Sequence, residues 1–205
     1  MEKKKFSKKK IVVISILSAV ILAISAGIIA YLINPYIYYE IYGSYLCTKE
    51  YPQKQEVINA KQANGKKVLV VYQPSAHTNI TEEMAYKIAQ GASETGAIVT
   101  LIRPSKDAKI NSNDFDTIIL GSPWYTRPSV KLLEFIQNLN NISNKEIHIF
   151  ITQGGAEKED YVFMPFEQAL TTKGVKPLTK ELYSAEIFEK SLEQALEFGR
   201  NIGQK

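Results

Sequence analysis

Three short polar stretches carry residue types able to bind something small: SAHTNIT (75–81), SPWYTRP (122–128) and QGGAEKEDY (153–161). The first runs into an acidic, helix-like segment. A helix N-terminus presents unpaired N–H groups and the positive end of the helix dipole, so it holds an anion without needing a lysine. Ser75, Thr78, Asn79 and Thr81 add short donors around those amides, with Ile80 among them. The same composition also serves plain capping, with Thr78 or Asn79 as N-cap and Glu82 or Glu83 placed as in a capping box. The second stretch sets Trp124, the chain's only tryptophan, beside Tyr125, with Pro123 and Thr126 on either side. An indole next to a phenol on a solvent-facing loop is a flat surface suited to a flat partner; the competing reading folds Trp124 back over a helix end. In the third stretch Gly154 and Gly155, after Gln153, permit close backbone approach or positive φ, and Tyr161 supplies another ring able to stack.

These stretches matter only if one scaffold brings them together. KKVLVVY (66–72) is a near-continuous apolar run, as expected of a strand buried on both faces. TEEMAYKIAQGASETG (81–96) spaces Met84, Ala85, Ile88 and Ala92 as a helix does and meets Gly96 as its stop. AIVTLIR (97–103) and FDTIILG (115–121) read as the second and third strands, and PSVKLLEFIQNL (128–139) as a helix with Pro128 in its first turn. KEIHIFIT (145–152) is the fourth strand, and YVFMPFEQALTTKG (161–174) is a helix interrupted or begun at Pro165. VKPLTKELYSA (175–185) is the fifth strand, and IFEKSLEQALEFGRNIG (187–203) closes as an amphipathic helix. Alternating strands and helices imply right-handed crossovers and a parallel sheet covered on both sides. Ligands of such sheets sit beyond the carboxyl ends of the strands, where the three stretches fall.

The chain has 205 residues and a formal net charge of +4, unevenly spread. Residues 66–205 hold sixteen Lys/Arg against seventeen Asp/Glu, so the expected domain lacks the basic excess that nucleic-acid binding requires. Cys47 is the only cysteine, and His77 and His148 are too few and too separated for a metal cluster. No nucleic acid and no metal are therefore expected. Residues 1–10 form a basic flank with six lysines, and residues 11–33 carry no charge. That run exceeds the apolar core of a secretory signal and is long enough to cross a bilayer, so residues 11–34 are expected to be a transmembrane signal-anchor contacting lipid. Flanking lysines resist translocation, which keeps the N-terminus cytoplasmic and puts the globular part outside. Tyr31, Tyr36, Tyr38, Tyr39, Tyr42 and Tyr45 suit the membrane interface or, alternatively, pack on the domain. Residues 35–65 read as a juxtamembrane segment and linker, and 66–205 as the domain.

Residues 66–205 resemble the flavodoxin family, through the five-strand alternation and through GSPWY followed by a helix. The resemblance implies a flavodoxin-like three-layer α/β sandwich with a five-stranded parallel sheet in the order 2-1-3-4-5, preceded here by one transmembrane helix. It further implies noncovalent FMN and electron transfer with an unidentified redox partner protein or quinone. By position, Thr78, Asn79, Ile80 and Thr81 would hold the phosphate, and Trp124 and Tyr125 would pack on the isoalloxazine. Gly154, Gly155 and Tyr161 would lie along its pyrimidine side. The family's T-x-T-G-x-T pattern is altered: Ala76 replaces the first Thr, and Asn79 replaces Gly in a turn that favours left-handed backbone. The missing hydroxyl is worth about 1.5–3 kcal/mol, or roughly ten- to over a hundredfold in affinity, which Ser75 or a protonated His77 would partly restore, the other reading of His77 being an exposed loop histidine. Glu157, Glu159 and Asp160 would disfavour an anionic reduced flavin and lower its potential. No G-x-G-x-x-G fingerprint is present. Two other readings stand beside the carrier: a flavin-dependent NAD(P)H or quinone oxidoreductase, and a flavin-free interaction module on the same fold.

Overall fold

The computed structural model describes residues 8–33, 43–63, 65–104, 110–155 and 160–204. The expectations for Tyr36, Tyr38, Tyr39, Tyr42, Glu157 and Glu159 lie outside them. The chain divides into two compact units, Met1–Gly43 and Ser44–Lys205. The first contains helix α1 (Lys8–Ile33, 26 residues), long and apolar enough to cross a membrane over Val12–Ile29. Its large apolar side chains, from Val12 through Leu17 and Leu22 to Ile29, are all at least half exposed.

The second unit is a six-stranded sheet, β1 (Gln55–Ile58), β2 (Lys67–Tyr72), β3 (Ile98–Ile102), β4 (Thr117–Pro123), β5 (Glu146–Gln153) and β6 (Thr179–Ser184), in the order β1-β3-β2-β4-β5-β6. The strands β3-β2-β4-β5-β6 are parallel throughout and follow the expected 2-1-3-4-5 arrangement. The five-strand expectation needs one correction. Gln55–Ile58 adds an antiparallel edge strand against β3, with Gln55 opposite Ile102 and Ile58 opposite Val99. Three of its four residues are exposed, so it is held by backbone pairing and leaves no apolar alternation in the sequence.

Helices α2 (Ile80–Glu94) and α5 (Phe188–Gln204) cover one face of the sheet, while α3 (Val130–Asn138) and α4 (Met164–Thr171) cover the other. The two-residue period of β2 shows why its run is continuous. Val68, Val70 and Tyr72 pack with Met84, Ala85 and Ile88 of α2, whereas Leu69 and Val71 pack with Leu132, Ile136 and Phe166. Each such buried aliphatic contributes about 1.5–3 kcal/mol relative to exposure. Small residues let α2 and α5 approach closely: a Cβ on Gly199 would lie 2.1 Å from the Ile88 carbonyl oxygen. Gly96, at φ 110, ends α2 in a conformation an L side chain resists. Pro128 precedes α3 rather than lying in its first turn; Ser129 caps the helix, its hydroxyl accepting from the Leu132 amide at 3.2 Å. Pro165 begins α4 rather than interrupting it, after a 3-10 turn over Asp160–Phe163.

Candidate functional site

The chain leaves β2 for β3 on one side and later crosses to β4 on the other, so β2 and β4 flank the topological switch point. Register fixes the strand ends there: Tyr72 lies opposite Gly121, and Pro123 opposite Thr152. The loops after β2, β4 and β5 consequently share one edge, as the three polar stretches require. Gly121, near the end of β4, has a packing reason, because a Cβ there would lie 2.0 Å from the Phe150 ring.

The first two loops are joined by Tyr125. Its hydroxyl oxygen accepts from the Ala76 amide at 2.5 Å and lies 2.7 Å from Ser75 Oγ, which is 3.0 Å from Thr78 Oγ1. The Ala76 amide and the Ser75 hydroxyl ahead of α2 thus converge on one oxygen, the amide as donor and the hydroxyl able to donate or accept. His77 stands edge-on to the Tyr125 ring at 6.5 Å, exposed to solvent. Asn79 is the residue ahead of α2 at φ −89, outside the left-handed region, and makes no side-chain capping bond. Asn79 is therefore unstrained, and not in the left-handed backbone expected from its type. Ile80 is buried in the core. Thr81 has no exposed surface, and its Oγ1 lies 2.6 Å from Thr152 Oγ1, so this hydroxyl fastens α2 to β5 instead of facing the edge. What positions 79–82 retain toward an anion is their first-turn backbone amides, which lack intrahelical acceptors.

Trp124 is half-buried over the core beside α3, its amide donating to the Thr152 carbonyl at 2.8 Å. Its ring meets Tyr161 edge-to-face at 5.7 Å, and Tyr161 and Met164 are each 51% exposed. One side of Trp124 thus packs inward while the other joins an open aromatic rim. Thr126 sits at φ 63, a left-handed conformation that costs a β-branched residue about 1–2 kcal/mol. Pro123 is buried at the end of β4. Gln153 Nε2 donates to the Gly155 carbonyl at 3.2 Å, and a Cβ on Gly154 or Gly155 would meet open space. Neither glycine has positive φ.

Sequence reasoning missed a fourth contributor, residues 44–54. This segment crosses the same edge before turning into β1. Leu46 and Cys47 are buried, the Cys47 thiol donates to the Arg127 carbonyl at 3.2 Å, and the Gln73 side-chain Nε2 donates to the Lys49 carbonyl at 3.0 Å. Glu50 pairs with Lys131 in the first turn of α3 at 2.9 Å. Tyr51 brings a buried hydroxyl without a hydrogen-bond partner among the described residues; burial, then the neighbouring Tyr125, pushes its phenol up. Lys54 reaches Glu82, which Arg103 also holds at 2.7 Å. The apolar pair Leu46–Cys47 in a polar stretch was the one signal available. Burial would raise the Glu82 carboxyl, but hydrogen bonds from Arg103 and Tyr72 and the charges of Arg103 and Lys54 together hold it below its ordinary value. A separate cleft of about 1110 Å³ lies between β1 and α2, lined by Glu56, Tyr86, Ser93 and Glu94, away from the three loops and mixed in charge.

This edge brings together a helix N-terminus, an aromatic rim, and a glycine pair with open space above it. No protein-family model matches the chain, and no curated protein matches it. Solved structures do. A flavodoxin from the domain Archaea superposes with a TM-score of 0.53 at 19% identity, over 67% of this chain and 96% of that one. The Flv1 flavodiiron core from Synechocystis gives 0.54 at 18% identity, over 69% of this chain and 36% of the other, so the chain spans about a third of that core's length. Two-electron reduced Megasphaera elsdenii flavodoxin gives 0.50 at 20% identity, over 65% and 98%. The second unit thus has a flavodoxin-like fold.

Proposed function

We propose that the chain is a membrane-anchored flavodoxin-like protein that binds FMN noncovalently at this edge and carries electrons to a redox partner protein or quinone. The observation that carries the reading is the convergence of the Ala76 amide and the Ser75 hydroxyl on one oxygen, beside the Trp124–Tyr161 rim. Ser75, Thr78 and the first-turn amides of α2 would hold the phosphate. Trp124 and Tyr125 would pack on the ring system, with Gly154, Gly155 and Tyr161 at its far side. Bound FMN supplies the electron-accepting chemistry; the polypeptide contributes stacking, hydrogen bonds and local charge. Asp160 beside Tyr161 adds negative charge that disfavours an anionic reduced ring. No residue is assigned as acid, base or nucleophile. The six-lysine flank supports a cytoplasmic N-terminus and an extracytoplasmic domain, with α1 as the span.

The flavin-free alternative draws on the same Tyr125 contact, since a loop satisfied by its own chain needs no ligand to hold its shape. The absorption spectrum of freshly purified full-length protein separates the two. Flavin bands in the visible, lost on acid precipitation with FMN appearing in the supernatant, support the carrier. A colourless protein that stays colourless after incubation with FMN supports the module.

A further inference from the structure

Tyr125 and the 44–54 segment belong to one connected set of contacts. The Tyr125 hydroxyl holds the Ala76 amide and Ser75, Thr126 next to it keeps its left-handed backbone, and the carbonyl of Arg127 accepts from the Cys47 thiol. The loop after β2 is tied to the same segment by the Gln73–Lys49 bond. One amide N–H makes one well-aligned hydrogen bond at a time, so an arriving oxygen that takes the Ala76 amide must displace the phenol. Thr126 gives the loop a reason to have a second conformation, because leaving the left-handed region relieves its strain.

We propose that Tyr125 is a latch: its hydroxyl fills the donors that a phosphate monoester would take, so phosphate binding expels Tyr125, shifts residues 124–127, and loosens the 44–54 segment through the Cys47–Arg127 contact. The proposal rests on the FMN reading of the site. It makes Tyr125 a competitor of the phosphate rather than one of its ligands, and it couples occupancy of the edge to the stretch of chain that follows α1 in sequence. FMN affinity is then set partly by how tightly residues 44–54 hold the loop. Two equilibria share one free energy: whatever loosens the segment tightens FMN, and FMN loosens the segment by the same factor.

Cys47 reports the motion directly. It is the only thiol of the chain and is 4% exposed, and burial, opposed by the Arg127 charge, pushes it up to about 11. Its modification by a maleimide is therefore slow until the segment opens. Full-length protein in detergent micelles is labelled with and without saturating FMN, and Tyr125→Phe is treated identically. The expected result is a severalfold faster labelling of wild type with FMN. Tyr125→Phe should label faster than wild type without any ligand and bind FMN about three- to tenfold tighter, the equivalent of one net hydrogen bond removed from the competing state. Weaker or unchanged FMN binding by Tyr125→Phe, or wild-type labelling indifferent to FMN, overturns the latch. If wild type binds no FMN, the cofactor reading fails and the ligand-free comparison still decides: faster labelling of Tyr125→Phe retains the latch, and equal labelling removes it.

Discussion

Single residues at the edge do work that their types only partly announce. Trp124 contributes area on both sides, inward to the core and outward to Tyr161, so its removal is felt in binding more than in folding of the loop. Trp124→Ala should weaken FMN binding by about 0.5–1.5 kcal/mol beyond the lost area, read by fluorescence titration. Unchanged affinity would take the indole out of the site. Thr81 shows the opposite case. A threonine just inside a helix N-terminus reads as an anion donor, but the close approach of α2 to β5 turns its hydroxyl toward Thr152. Whether a side chain faces the edge or the core depends on the rotation of the helix about its axis, which residue type does not encode. Asn79 likewise suggested a left-handed turn, while the helix begins there with φ −89.

At the scale of elements, the alternation of apolar strands and amphipathic helices was legible because each element buries a periodic face. β1 was not, since its pairing with β3 uses backbone groups and leaves most of its side chains in solvent. The segment before it is held partly by charge, through Glu82, Arg103, Lys54, Lys131 and Glu50. Glu82 is depressed in the folded state, so its contribution to stability is present above the unfolded carboxyl value of about 4.3 and is lost as pH falls through the folded value. Glu82→Gln should therefore lower the urea midpoint of the full-length protein at pH 7, with the difference from wild type shrinking below about pH 4. A difference equal at pH 3 and pH 7 would contradict the depressed carboxyl. The α2–α5 contact allows no added methyl at Gly199. Gly199→Ala should cost about 1–3 kcal/mol and lower Tm by about 2–4 °C per kcal/mol, checked by thermal unfolding; an unshifted Tm would contradict the close approach.

Across the whole molecule, an apolar helix and a flavodoxin-like unit occupy one chain, and the route between them matters because residues 44–54 touch the candidate site. That contact was invisible in composition, since a polar stretch with little periodicity looks alike whether it wanders in solvent or lies across a sheet edge. The charge asymmetry, by contrast, was fully readable: six lysines precede the apolar run, and residues 66–205 are close to neutral. It predicts that external protease removes the domain from intact cells while a cytoplasmic marker survives. Complete protection of the domain, with cleavage only after lysis, would reverse the proposed orientation.

The most direct test of the central claim is titration of the detergent-solubilised full-length chain with FMN, followed by quenching of flavin emission. The account expects saturable one-to-one quenching, weakened by Trp124→Ala. Emission that rises in proportion to added FMN, with no saturable component, would contradict it.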